Sequence, residues 1–137
     1  MLTNTRTIHV EWGDCDPAGI VYYPRYFEWF DSCTQALFAR AGLPKPEMLK
    51  RYNIAGIPMV DTRARFVIPS KFGDDVTVET TITAFRRSSF DVQHRLLKDG
   101  ALAVEGFETR VWVARDPEDP ERIKSQAIPE DVIARFR

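Results

Sequence analysis

A chain of 137 residues, 44% hydrophobic and with nine Phe, four Tyr and three Trp, is the size of one ordinary domain and can fill a core. Its 19 basic and 20 acidic residues leave a formal charge of −1, which gives no long-range pull toward nucleic acid or an anionic membrane. Two cysteines in unrelated contexts, Cys15 and Cys33, make neither a disulfide framework nor a zinc-ligand set.

No apolar run approaches the roughly 20 residues of a membrane span, and the first dozen residues do not resemble a signal peptide. The expectation is a single domain over residues 1–137, cytoplasmic, with no metal, no nucleic-acid partner and no membrane partner.

In chain order, Ile8, Val10 and Trp12 alternate with Thr7, His9 and Glu11, the period of a half-buried strand. Residues 13–19 break that pattern with two Asp, a Pro and two Gly. Pro24 suits a first helical position, and Phe27, Phe30, Cys33, Leu37 and Ala41 follow at helical spacing. Tyr26, Trp29 and Phe38 widen the stripe, which predicts a helix buried on most sides. Gly42 suits the residue after a helix end, and Pro44 and Pro46 prevent continuation, leaving room for one turn near residues 47–51.

Residues 59–68 read as a strand stopped near Pro69. Val76, Val78, Thr80, Ile82 and Ala84 mark one face of a second, and Phe90, Val92, His94 and Leu96 one face of a third. Asp99-Gly100 is a two-residue hairpin signal before a long strand over residues 101–114. Residues 116–120 form a polar loop and residues 129–136 a short helix. One strand, one apolar helix and then a meander of four strands predict an α+β fold, with the sheet wrapped around the helix.

Few residues can carry chemistry. The chain has no Gly-x-Ser-x-Gly elbow, no phosphate-binding glycine loop and no cluster of histidines. His9 and His94 both fall at strand positions and read as packing or hydrogen-bonding residues. Cys15 lies near a helix start, where thiolates are favoured, but no feature supplies its base. Asp14 and Asp16 remain. Asp is a common turn residue, so the plain reading is a turn. Against it stand a loop held between a strand and a buried helix, a Gly19 that permits close backbone approach, and a helix N-terminus able to receive developing negative charge.

The segment Gly-Asp-Cys-Asp-Pro-Ala-Gly-Ile-Val-Tyr-Tyr-Pro-Arg-Tyr-Phe-Glu-Trp-Phe-Asp, residues 13–31, closely resembles the signature of the 4-hydroxybenzoyl-CoA thioesterase family. Ala-Phe-Arg-Arg-Ser-Ser-Phe at residues 84–90 supports the resemblance. It implies a hotdog fold, in which a five-stranded antiparallel sheet wraps a long central helix. It also implies homodimers paired sheet edge to sheet edge, often doubled to homotetramers, with active sites at the dimer interface.

By position, the resemblance implies that Asp16 is the catalytic carboxylate and that the Tyr23 backbone N–H polarises the thioester carbonyl. The turn Arg86, Arg87, Ser88 is implied to hold the CoA phosphates, and Asp31 to sit near an aromatic acyl ring. The substrate is an acyl-CoA, and no cofactor is implied beyond the CoA it carries. Tyr23 stands where a related branch, associated with the Tol–Pal envelope system, carries His, which favours the aromatic-acyl branch. Ile57 stands where a polar Thr is expected in a 4-hydroxybenzoyl pocket.

A thiolate leaves without a strong dedicated acid, so the reaction needs a stabilised oxyanion and either a nucleophile or an activated water. A carboxylate at residue 16 fits either role. The alternatives are a short-chain aliphatic acyl-CoA thioesterase, a hotdog dehydratase, and a non-catalytic acyl-CoA-binding module. The dehydratase needs a His beside an acid, and neither histidine lies in the loop or the helix.

Overall fold

Segments that alternate β-branched and polar residues settle as strands, and in the three central ones one face is buried against the helix side. In the computed structural model, which describes residues 1–137, they are β1 (Thr3–His9), β2 (Met59–Phe66), β3 (Asp75–Phe85), β4 (Ser89–Lys98) and β5 (Ala101–Val111). These five form one antiparallel sheet in the order β1-β3-β4-β5-β2. Asp99 (φ 51°) and Gly100 (φ 80°) take the left-handed conformation that a tight hairpin between β4 and β5 requires.

The expected meander of four is a meander of three. Both edges of β3 are filled, by β1 and by β4, so β2 crosses to the far edge and pairs with β5, Ala64 opposite Gly106. The N–H groups of Val67 and Ile68, just beyond β2, both donate to the Ala103 carbonyl and tie the crossing down.

The first strand also lies earlier than the alternation suggests. The Glu11 N–H donates to the Asp14 carboxylate at 2.9 Å, capping a 3₁₀ turn over Trp12–Asp14, so β1 ends at His9. Trp12 is therefore 76% exposed, its ring edge-on to Phe72, rather than on the buried face of a strand.

The long helix α1 (Pro24–Arg40) lies across the sheet and buries Tyr26, Phe30, Cys33, Thr34, Leu37 and Phe38 against it. Its other side, with Glu28, Asp31 and Arg40, is exposed, so it is covered on one side and not on most. Close approach is set at Gly106 on β5, where an added Cβ would stand 2.5 Å from the Phe30 ring. That ring stacks on His94 at 4.7 Å and 12°.

After α1 comes α2 (Lys45–Tyr52), two turns where one was expected. Pro46 falls in its first turn, where a missing N–H costs nothing. The last long strand, in contrast, is shorter than expected. Trp112, buried, sends its N–H to the Ser88 carbonyl at 2.7 Å and diverts the chain into a small ribbon of β6 (Val113–Arg115) and β7 (Ile123–Ser125). The short helix α3 (Glu130–Ala134) follows and buries Val132 and Ile133.

The core is divided. One apolar cluster surrounds the C-terminal half of α1, with Leu37, Phe38, Ile82, Phe90, Trp112 and Phe136. The other surrounds its N-terminal half, with Val21, Tyr26, Phe30, Val78 and Leu96. Between them, at the intervening positions of each element, lie the buried polar residues Thr34, Thr80, His94, Glu108 and Arg110.

Candidate active site

The loop before α1 is a miniature ladder. Cys15 bridges Val21, the Tyr22 N–H donates to the Asp14 carbonyl at 2.8 Å, and the Asp16 N–H donates to the Ile20 carbonyl at 3.0 Å. At the tip, Asp16 Oδ1 accepts the Ala18 N–H at 2.8 Å, and Gly19 turns back with φ 82°, a conformation that suits only glycine well. The Val21 N–H donates to the Ser70 carbonyl at 2.9 Å and docks the ladder on the chain beyond β2.

Asp14 and Asp16 thus do different work. Asp14 caps the 3₁₀ turn and sits 3.6 Å from Arg25, so it is structural. Asp16 is half-buried and keeps Oδ2 without a partner in the chain. It lines a cavity of about 310 Å³ with Trp12, Cys15, Pro17, Gly19 and Phe72. Cys15 donates weakly to the Glu11 carbonyl at 3.8 Å and has no base beside it.

Tyr23 is the residue at which α1 begins, followed by Pro24, and its N–H donates to no acceptor in the chain. A vacant donor at the positive end of a 17-residue helix is the group that an oxyanion would take. Beside it lies an apolar groove of about 160 Å³ formed by Ile20, Tyr23, Tyr26, Phe66, Val67 and others.

Asp31 lies two turns along α1, its side chain 56% exposed. The partner that an acid on so apolar a helix needs is Arg110 on β5, whose Nη2 donates to Asp31 Oδ1 at 2.8 Å. Arg110 Nη1 donates to the Ile57 carbonyl at 3.1 Å and Nε to Glu108 Oε1 at 2.8 Å. Ile57 itself turns its side chain into the C-terminal core cluster and offers the site its carbonyl.

Glu108 is buried with three donors: Thr34 Oγ1 at 2.8 Å, His94 Nε2 at 2.9 Å and Arg110. Burial alone would raise its pKa, but the hydrogen bonds from His94 and Arg110 outweigh it and hold the carboxyl below the usual glutamate range. His94, stacked and hydrogen-bonded to Thr80 and Glu108, is the packing residue its strand position suggested.

Glu108 and Arg110 did not emerge from the sequence, although a signal was present. The period of two from Val104 through Gly106 to Trp112 places both on the core face of β5, and charges in that phase mark a buried pair.

The Arg86–Ser88 turn shows a division of labour. Arg86 Nη1 and Nη2 both donate to Asp91, at 3.0 and 2.6 Å, and Nε donates to Ser89. That pairing lowers the Asp91 pKa and commits Arg86 to its own hairpin. Arg87 is exposed, with no side-chain partner in the chain. Ser88 accepts the Trp112 N–H through its carbonyl.

Asp16 and Tyr23 belong to one loop-to-helix junction, although they line two different cavities, and Asp31 and Ile57 meet through Arg110. The basic turn does not join either pair. It lies at the Phe85 end of β3, whereas the Asp16 loop follows β1, whose last residue pairs with Asp75 at the other end. Eleven strand residues put roughly 33 Å between those ends.

The Thioesterase-like superfamily model matches residues 10–136. A 4-hydroxybenzoyl-CoA thioesterase from Pseudomonas sp. (strain CBS-3) is 36% identical over 131 residues, covering 90% of each chain. The crystal structure of a 4-hydroxybenzoyl CoA thioesterase variant with an Asp replaced by Asn, complexed with 4-hydroxybenzoyl CoA, superposes with a TM-score of 0.89 at 33% identity. It covers 98% of this chain and 99% of that one. A gentisyl-coenzyme A thioesterase matches with a TM-score of 0.80 at 32% identity, over 97% of this chain and 98% of its own.

Proposed function

The chain belongs to the thioesterase-like superfamily, and from that premise we propose that it is a hotdog-fold acyl-CoA thioesterase hydrolysing an aromatic CoA thioester at Asp16. The observation that carries the assignment to Asp16 is local. A carboxylate with one unpartnered oxygen shares a rigid loop-to-helix junction with a backbone N–H that has no acceptor.

In this reading the thioester carbonyl oxygen takes the Tyr23 N–H, and negative charge grows there as the carbonyl is attacked. One such positioned donor is typically worth about 10²–10³ in rate. Either Asp16 attacks directly, the C–S bond breaks and water opens the resulting mixed anhydride, or Asp16 takes a proton from the attacking water. Both routes release CoA thiolate and the free acid, and neither calls on a metal or a separate cofactor.

The acyl ring lies toward Asp31 and Ile57, and the nucleotide end of CoA toward the turn Arg86, Arg87, Ser88. Because Arg86 is committed to Asp91, Arg87 is the main phosphate contact. In one chain that turn and the Asp16 loop lie at opposite ends of β3, a strand roughly 33 Å long. A substrate that touches both is held by two chains, which supports a homodimer; the homotetramer rests on the family resemblance alone.

The edge of β2 suits the pairing, since Val60, Phe66 and Val67 are exposed there, with Ile20 and Tyr23 beside Phe66 and Val67. No helix is long and apolar enough to cross a membrane, and the reading places the enzyme in the cytoplasm with its acyl-CoA substrate.

Release of free thiol from 4-hydroxybenzoyl-, benzoyl- and butyryl-CoA tests the reading. The expected order of kcat/KM is both aryl esters above butyryl. A butyryl optimum would overturn the aromatic assignment, and no turnover of any ester would overturn the enzyme assignment.

A further inference from the structure

The segment that carries Asp16 rests on a second loop, the end of the crossing from β2 to β3. Before the 3₁₀ turn, the Val10 N–H donates to the Asp74 carbonyl at 2.8 Å, and the Val10 carbonyl accepts the Gly73 N–H at 3.0 Å. Beyond Gly19, the Val21 N–H donates to the Ser70 carbonyl at 2.9 Å. From the same loop Phe72 meets Trp12 edge-on and borders the cavity that Asp16 lines. Residues 70–74 thus support the Asp16 loop on either side of Asp16. Asp16 and Tyr23 border different cavities, so the set of this loop against α1 decides how the two converge on one carbonyl.

What holds the supporting loop is a lysine from another strand. Lys98 is the last residue of β4, and its Nζ reaches Asp74 Oδ2 at 2.8 Å and the Pro69 carbonyl at 3.3 Å. One ammonium therefore joins the first and last residues of the loop 69–74. Asp74 Oδ2 also accepts the Lys71 N–H at 2.9 Å, and the Asp74 N–H returns to the Lys71 carbonyl at 3.1 Å.

The side chains of Lys98 and Asp74 are 21% and 16% exposed, well below those of the surface pairs Arg95–Glu79 and Arg25–Glu28. The ammonium holds the Asp74 carboxyl below the usual aspartate range, so the pair is charged at neutral pH. The sheet does not depend on it. The ladder between β3 and β4 runs from Thr77–Leu97 to Phe85–Phe90 without either residue.

We propose that Lys98 and Asp74 are positioning residues for hydrolysis, acting through the loop 69–74 to keep Asp16 in register with the Tyr23 N–H. Their role rests on the thioesterase reading above and adds to it a support that lies outside the site. Losing the pair loosens the loop and not the sheet, and a displacement of about 1 Å at the reacting groups can cost about 10²-fold in rate.

Lys98→Met keeps the aliphatic stem, and Asp74→Asn keeps an oxygen for the Lys71 N–H, so each removes the charge pair alone. On whichever of the three CoA esters above is hydrolysed fastest, each should lower kcat roughly tenfold or more and leave KM within about twofold. The double variant should lose no more than either alone, and Lys98→Arg should recover most of the rate. Amide hydrogen exchange separates this role from a general loss of stability. In either variant the Val10 and Val21 N–H groups should exchange roughly tenfold faster or more, while the β4 amides keep their protection.

Asp74→Asn carries both measurements should Lys98→Met not fold. Full rate in the variants, additive losses in the double variant, or equal loss of protection in β4 would overturn the role of the pair while leaving the thioesterase reading intact. A wild type that hydrolyses none of the esters overturns that reading, and the role of Lys98 and Asp74 with it.

Discussion

At the start of α1, Asp16 keeps one oxygen unpartnered, the Tyr23 N–H has no acceptor, and both sit at the surface. Half-way along the same helix, Glu108 and Arg110 are buried and fully engaged, the carboxylate by three donors and the guanidinium by three acceptors. Buried charge is tolerated only where every group is paired, and chemistry needs groups that are not. The first region pairs its backbone within the ladder and leaves its reactive groups vacant. The second satisfies everything and so fixes geometry, including the geometry of Asp31.

Breaking the satisfied region should therefore cost stability first. Arg110→Ala leaves Glu108 buried without its cation, and removing one partner of such a pair costs about 3–5 kcal/mol. The sign of its pH dependence follows from the depressed Glu108 pKa. That contribution to stability is present above the ordinary glutamate range and is lost as pH falls through the lower folded value. The gap between wild type and Arg110→Ala in urea unfolding should be widest near neutral pH and should narrow in acid. A gap that widens in acid would contradict the pairing described.

The notch beneath Phe30 sharpens the same point. Gly106→Ala forces the ring off His94, and overpacking of this kind costs about 1–3 kcal/mol, measurable as a lowered urea midpoint. Stability unchanged by the extra methyl would show that the helix sits further from the sheet than the contact at Gly106 implies.

The smallest effects belong to the exposed turn, and they are read in KM. Arg87→Ala should raise KM for CoA esters roughly fivefold, with little change on truncated thioesters that lack the nucleotide, because a solvated phosphate contact is weak. Arg86→Ala should do less, since its guanidinium is already held by Asp91. Both defects should shrink in high salt. A larger KM effect at Arg86 than at Arg87 would reverse that division.

How legible these regions were depends on where their partners lie in the chain. The Asp16–Tyr23 junction is nearly local, closed by bonds between residues 14 and 22, so one stretch of sequence holds the whole pattern. The α+β class was legible for the same reason, because alternation and helical spacing are local signals. Arg110 depends on residues 2, 16, 53 and 79 positions away, and of these the strand period connects only the first, Glu108.

Pairing order was also hidden. The run that ends near Pro69 reads as a strand, but nothing in it shows that both edges of β3 are already filled. Nor does the apolar stripe of α1 distinguish a side covered by this chain from one left open. The end of β1 was misjudged because the Glu11–Asp14 cap outweighs an alternation that would otherwise run on to Trp12.

The central claim is that the vacant carboxylate, and not any satisfied one, does the chemistry. The direct measurement is single-turnover and steady-state hydrolysis of 4-hydroxybenzoyl-CoA by Asp16→Asn, with binding of the ester followed separately. The substitution is nearly isosteric and keeps an oxygen able to accept the Ala18 N–H, so the fold and the affinity should persist. Hydrolysis should fall by roughly three orders of magnitude or more, as expected when the attacking or proton-accepting group is removed. Activity within tenfold of wild type would contradict the claim, and if Cys15→Ala were inactive at the same time, the chemistry would move to the thiol.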